Sequence, residues 1–217
     1  MITKANNLQE KKQTTKTRYL ITPTLLNSWL YIWEAPKGVV ESEKDEICLE
    51  DKQQDAMLKA KQDFIDALKK IQKPPNEYMK AGIEFEEECY KGNTCVSPII
   101  EGGAYQIVGT KEITVDDMDF LMYGRLDVLK GGVIYDIKRI WKYKRPKYYW
   151  SSQHRFYMDL FPEATEFQYL AFDGYNLHIE VYFADDCIPT ENLISKFIAY
   201  LKQENLYEIY TENWKAR

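Results

Sequence analysis

Apolar positions recur at helical spacing along the first part of the chain, and the texture changes to strand-like runs from residue 98. Thr22-Pro23-Thr24 opens the first predicted helix: the Thr22 hydroxyl can cap it, and the fixed φ of Pro23 suits a first turn. Leu25, Leu26, Trp29, Leu30 and Trp33 supply an apolar stripe, and Pro36 with Gly38 predicts the end. Residues 41–55 are strongly charged and read as a loop or an exposed helix start. Met57, Phe64, Ile65, Leu68 and Ile71 predict a second helix over roughly 54–71, broken by Pro74-Pro75. Asn76 can cap a third over roughly 77–91, which carries Gly82, Ile83, Phe85, Glu86 and Cys89 and stops at Gly92-Asn93.

Beyond residue 98, residues 105–109 read as a short strand. Two longer strands, 119–129 and 133–140, are joined by Lys130-Gly131-Gly132, a hairpin turn signal. Pro146 predicts a helix to about Leu160, terminated by Phe161-Pro162. Residues 166–172 and 177–183 form a second predicted hairpin across Asp173-Gly174-Tyr175-Asn176. Thr190 can cap a last helix striped by Leu193, Ile194, Phe197, Ile198 and Leu201. This order predicts an α/β or α+β fold: one central mixed sheet flanked by helices.

The chain has 217 residues, enough for one domain with a sizeable core. Residues 1–18 are polar and expected to fray, which leaves 19–217 as a single domain. With 45% hydrophobic and 29% charged residues the composition is that of a folded, water-soluble chain. No run reaches the roughly 18 apolar residues of a membrane span, and the first residues lack an apolar signal core, so a cytoplasmic location is expected. A net charge of −5 argues against a broad cationic coat for nucleic acid but leaves room for a local basic groove. Cys48, Cys89, Cys95 and Cys187 contain no C-x2-C pair, so they read as free thiols rather than zinc or iron–sulfur ligands.

Candidate chemistry concentrates at Gly124-Arg125-Leu126-Asp127 and Val133-Ile134-Tyr135-Asp136-Ile137-Lys138. Strand alternation puts Asp136 and Lys138 on one face, and Asp127 meets Asp136 across the short turn. Two such carboxylates repel unless a cation joins them, and hard oxygen ligands suit Mg²⁺ or Mn²⁺. A lysine beside that cation can orient a water or offset charge on a phosphate. The bare acid-x-Lys spacing also occurs at Glu10–Lys12 and Glu50–Lys52. Only the third instance ends an apolar strand that follows a strand with its own aspartate. The competing reading is an ordinary ion pair on an exposed hairpin.

With these motifs in order, the chain resembles the PD-(D/E)XK nuclease superfamily over roughly residues 20–183. The branch is the one that holds RecB-type nuclease domains, phage lambda-type exonucleases and CRISPR-associated adaptation nucleases. Thr22-Pro23-Thr24-Leu25 resembles its first helix start, and Gly82-x3-Glu86 its helix motif. Gly124-x2-Asp127 and Asp136-Ile137-Lys138 resemble the two strand motifs, and Gln153-x3-Tyr157 the downstream helix motif. The resemblance implies a restriction-endonuclease-like core in which Asp127, Asp136 and the Ile137 carbonyl hold the metal. Glu86 would complete the shell or hold a water on it, with Glu84 the neighbour on a different helical face. Lys138 would position the attacking water, and Gln153 and Tyr157 would face the cleft, contacting DNA or supporting the core. Arg18 would bind a terminal 5′ phosphate. The single downstream Cys187 departs from the members that carry an iron–sulfur cluster, so none is expected.

Lys138, Arg139, Lys142, Lys144, Arg145 and Lys147 form a basic run interleaved with Trp141, Tyr143, Tyr148, Tyr149 and Trp150. Phosphate contact with aromatic stacking is how single strands and duplex ends are gripped; the alternative is a solvated loop with its aromatics turned inward. His154, alone on its helix, reads as structural. The resulting expectation is a Mg²⁺- or Mn²⁺-dependent deoxyribonuclease of phage or prophage type, an exonuclease acting on DNA ends in a bacterial or phage-infected cytosol. The alternatives are a structure- or sequence-specific endonuclease and a catalytically inactive DNA-binding or inhibitor protein of the same fold. A single-strand annealing recombination protein and a homo-oligomer are the partners that the resemblance implies besides DNA.

Overall fold

The computed structural model describes residues 17–42, 49–144 and 146–216. The tail through residue 16, Cys48 and Arg145 lie outside the described residues. The elements run β1 (Arg18–Ile21), α1 (Pro23–Ser42), α2 (Leu49–Leu68), α3 (Glu77–Tyr90), α4 (Ser97–Ile100), β2 (Ala104–Val115), β3 (Met118–Lys130) and β4 (Val133–Arg139). Then follow α5 (Gln153–Leu160), β5 (Glu166–Phe172), β6 (Leu177–Phe183), α6 (Thr190–Gln203) and α7 (Tyr207–Asn213). The fold is α+β, as expected, with a mixed six-stranded sheet flanked by helices.

The middle strand decides the layout. β2 lies antiparallel along one side of β3, from Val115↔Met118 to Ala104↔Leu129. The other side is divided: β1 runs parallel to residues 119–122, and β4 runs antiparallel to 128–130. Residues 123–127 therefore sit in a fork: on that side of β3, no strand among the described residues lies beside them. β5 continues parallel to β4, and β6 pairs with β5 as the edge. Gly131 (φ 59°) and Gly132 (φ 81°) make the tight turn between β3 and β4, in a left-handed conformation that glycine adopts without strain.

One face of the sheet carries the main core, where Phe64, Phe120, Phe156, Phe167, Tyr169, Phe197 and Tyr210 are fully enclosed. On the other, α3 and α4 cover a smaller cluster of Cys89, Val96, Ile100, Val128, Ile137 and Leu170. The C-terminal segment closes beside β1: Leu20 N donates to Trp214 O (2.6 Å), Ala216 N to Arg18 O (2.8 Å), and the Trp214 indole to Leu68 O (2.9 Å). Among the described residues, no helix is long and apolar enough to cross a membrane.

Several expectations change. α1 continues through Pro36 to Ser42, because α1 packs along α2 and Ile32, Ala35, Ala60 and Phe64 share the main core. That packing outweighs the single backbone bond a proline removes. The helix expected from Pro146 begins only at Gln153. Its first turns cannot form, because the Lys147 and Tyr148 amides are held by the Glu180 carboxylate and the Ser152 amide by Asn27 Oδ1. Thr190 is the first residue of α6 rather than its cap, and its buried hydroxyl has no partner. β2 is twelve residues rather than five, and β1 and α7 are elements the hydrophobic pattern did not predict. Thr22 does cap α1, accepting from Leu25 N at 3.2 Å, and Asn76 caps α3, accepting from Met79 N at 2.9 Å.

Candidate functional site

The β3–β4 ladder ends at Val128↔Tyr135, so Asp127 and Asp136 are the next pair along, at the mouth of the fork. In place of a ladder bond, the Ile137 amide donates to Asp127 Oδ2 at 2.8 Å. On the β2 side the register also skips one pair, Gln106 against Asp127, where Gln106 takes a left-handed backbone (φ 54°). Asp136 is buried, 4% exposed, beneath α5. Its Oδ1 accepts from Gln153 Nε2 at 3.2 Å, and its Oδ2 is ion-paired with Lys138 Nζ. Lys138 is therefore the group that engages the buried Oδ2.

Burial sets the charge balance here. Desolvation pushes the Asp127 carboxyl up to about 7; the charge of Asp136 adds to this and Lys138 opposes it. Asp136 is raised, first by burial, with Lys138 again opposing. Burial would lower Lys138, but the Asp136 and Asp127 charges outweigh it and hold the ammonium charged. The centre thus combines two buried carboxylates that resist ionising together and an ammonium held against one of them. A hard divalent cation removes the repulsion between the carboxylates, so Asp127 and Asp136 fit such a group.

Glu86 stands apart from the expected role. Its Oε1 accepts from Tyr90 OH at 2.7 Å and from Gln106 Nε2 at 2.6 Å. Among the described residues, no three His, Cys, Asp or Glu side chains converge in metal-ligating geometry. Glu86 therefore borders the pair, close enough to bear on the charge of both aspartates, with one of its two oxygens, Oε1, held by Tyr90 and Gln106. Glu84 is exposed and lines a groove on the far side of α3 with Phe85 and Arg139. Gly82 meets no steric demand, since a Cβ there would touch nothing within 4 Å.

Gly124 is different. A Cβ there would lie 2.7 Å from Tyr157 Cε1 and 3.1 Å from Leu160 Cδ1. Only glycine lets α5 enter the fork, where Tyr157 OH donates to the unpaired Arg125 carbonyl at 2.8 Å. Gln153 and Tyr157 thus split their roles: Gln153 holds the Asp136 carboxylate, and Tyr157, 6% exposed, is core. His154 is also core, stacked on Tyr182 at 4.2 Å, with Nδ1 3.2 Å from Tyr169 OH.

Next to Gln153 opens a groove of about 720 Å³, with Lys142, Lys144, Lys147 and Trp150 on one wall and Asn27, Tyr31 and Lys37 of α1 on the other. Lys37 lies over the Trp150 ring, 5.4 Å from its centroid. The loop that carries these lysines is anchored by Glu180, which is 3% exposed. Glu180 accepts from Lys147 N (2.7 Å), Tyr148 N (3.1 Å) and Tyr182 OH (2.7 Å). Sequence reasoning missed Glu180; the one signal was an acidic residue inside an otherwise apolar strand run. Arg139 leaves the basic run: its guanidinium donates to the Ile140 (2.6 Å) and Phe172 (3.1 Å) carbonyls and faces the other groove. Arg18 is equally removed. It sits in β1 opposite Asp119, ion-paired with Glu112, and eight residues of β3, about 26 Å of strand, separate Asp119 from Asp127. It does not reach the centre as a 5′-phosphate contact.

No family model and no curated protein matches this chain. Among solved structures, the crystal structure of SSO0001 is similar, with a TM-score of 0.50 and 15% identity over 89% of this chain and 79% of that one. At that identity the likeness bears on the fold alone.

Proposed function

We propose that the chain is a Mg²⁺- or Mn²⁺-dependent DNA nuclease of the PD-(D/E)XK kind that acts on DNA ends. The observation that carries this reading is the centre itself. Asp127 and Asp136 are paired in the fork, the charge of the buried Asp136 raises the Asp127 carboxyl, and Lys138 is the ammonium held against Asp136. The adjoining groove, with four lysines, one of them paired with Glu34, and Trp150, supports nucleic acid as the substrate, because phosphate contact and base stacking need those groups together.

The bound cation would neutralise charge on the scissile phosphate and activate a water. Asp127 and Asp136 would hold it, and Gln153 fixes the Asp136 carboxylate by its hydrogen bond to Oδ1. The Ile137 amide fixes Asp127 by the same logic. Lys138, whose side chain is 29% exposed, reaches from the buried carboxylate to solvent, so it can orient the attacking water and offset charge developing on the phosphate. Lys142, Lys144 and Lys147 would hold the flanking backbone, in a chain whose net charge gives no attraction elsewhere.

The test is digestion of linear and covalently closed circular DNA by the purified protein with Mg²⁺ or Mn²⁺. Linear DNA should be degraded and closed circles spared, and Asp136→Asn or Lys138→Ala should each cost about 10²-fold or more. Unchanged activity in both variants rejects the reading; cleavage of circles replaces an end-acting enzyme with an endonuclease. A catalytically silent DNA-binding protein is the second reading, favoured by the engagement of Glu86 with Tyr90 and Gln106. It requires that calorimetry find no Mn²⁺ binding.

A further inference from the structure

Beside the groove lies a second, narrower cavity of about 220 Å³ that no step above uses. Trp29, Tyr149, Trp150, His154 and Tyr182 line it, with Ile188 and Lys196 also on its walls. Tyr149 (54%), Trp150 (55%) and Ile188 (51%) are among the most exposed large apolar residues of the chain, and they converge on this one opening. Scattered exposed apolar residues need no explanation, but a cluster around a cavity marks a binding surface. The buried Trp29 indole N–H, in the same wall, has no acceptor. Leu30, Trp150 and Ser151 belong to both cavities, so the two adjoin across a shared wall.

We infer that this cavity receives one unstacked nucleobase of the strand lying in the lysine groove. Its size decides between ligands. At about 220 Å³ it is below the roughly 300–1,000 Å³ of sites for drug-sized molecules, so it takes a single flat ring and leaves the sugar and phosphate outside. Outside, Lys142, Lys144 and Lys147 line the groove and exposed Lys196 stands at the cavity, outnumbering Asp186 there and Glu34, which is ion-paired with Lys37. Aromatic walls bind any base through its π face, and unstacking is least costly in a single strand or at a frayed end. The inference rests on the nucleic-acid reading of the groove and deepens it: the centre would cleave at a fixed number of nucleotides from the captured base.

The experiment uses the full chain as Asp136→Asn, to prevent cleavage, and single-stranded oligonucleotides with 2-aminopurine at successive positions. Fluorescence should change on binding at one register position. An abasic nucleotide at that position, or Tyr149→Ala in the protein, should weaken binding about five- to a hundredfold. Uniform fluorescence with equal affinity for every abasic oligonucleotide overturns the cavity assignment and leaves the groove standing. No binding of any oligonucleotide overturns the nucleic-acid reading itself. Because the abasic arm changes only the DNA, a misfolded variant cannot imitate the expected result.

Discussion

Replacing Glu180 by glutamine tests whether the lysine loop is held from beneath. The side chain keeps its shape, but its charge is lost and one of its two acceptor positions becomes an NH₂ group. The carboxylate now serves the Lys147 and Tyr148 amides and the Tyr182 hydroxyl. With the new carbonyl toward Tyr148 and Tyr182, the NH₂ confronts the Lys147 N–H. A bond to a charged acceptor contributes about 1.5–3 kcal/mol and a neutral one about 0.5–1.5. Two weakened bonds and one lost bond, partly rehydrated at the surface, come to about 2–4 kcal/mol. For a domain of this size that lowers Tm by roughly 5–15 °C. The loop that loosens carries Lys142, Lys144 and Lys147, whereas Asp127, Asp136 and Lys138 lie on strands. DNA affinity should therefore fall and the slope of log affinity against log salt should flatten, with KM raised and kcat kept. Thermal unfolding and DNA titrations over a salt series measure each part. Wild-type Tm and an unaltered salt slope would refute the anchoring, and so would a fall in kcat at constant KM.

Three further outcomes are expected. Mn²⁺ at about a hundredfold over its Kd should stabilise the wild type by about 2.7 kcal/mol, and Asp136→Asn not at all; an equal Tm rise in both removes Asp136 from the site. Burial holds His154 down at about 4, against about 6.5 in the unfolded chain, so the unfolded state takes up the proton first as pH falls. Stability should drop through that window by about 3 kcal/mol; urea unfolding at about pH 7.5 and about pH 4.5 should show a smaller drop in His154→Phe, and an identical drop excludes His154 as the cause. Gly124→Ala should destabilise by about 1–3 kcal/mol through the clash with Tyr157, whereas Gly82→Ala, in open space, should stabilise its helix by up to about 1 kcal/mol. The reverse order would refute the packing account.

Local signals were legible where one residue type has one physical use. Gly131-Gly132 gave the β3–β4 turn, Asn76 and Thr22 gave two caps, and the hairpin register put Asp127 against Asp136. What stayed hidden depended on contacts distant in sequence. Pro146 reads as a helix start until Glu180, thirty-odd residues later, captures the next two amides. Glu86 stands in the sequence as one acid in a run, and the contact that fixes its Oε1 comes from Gln106, twenty residues on, in a left-handed backbone. Arg139 counts toward a basic run, yet it follows Lys138 on a strand and so points to the opposite face, where backbone carbonyls take it. The four-residue β1 is too short to show a period of its own and exists because β3 has an open side.

The divided side of β3 also acts as a ruler. β1 and β4 grip it at 119–122 and 128–130, and the stretch between must carry Asp127 to the mouth, leave Gly124 beneath α5 and offer the Arg125 carbonyl to Tyr157. Deleting one residue there turns the acid to the wrong face; deleting two restores the face but draws it back by about 7 Å. Length variation among natural or engineered variants should therefore collect in the Asp116-Asp117 turn and the Asp173–Asn176 turn. The interval from Tyr123 to Asp127 should keep its count, with Gly124 and Asp127 fixed, even where the residues between them vary.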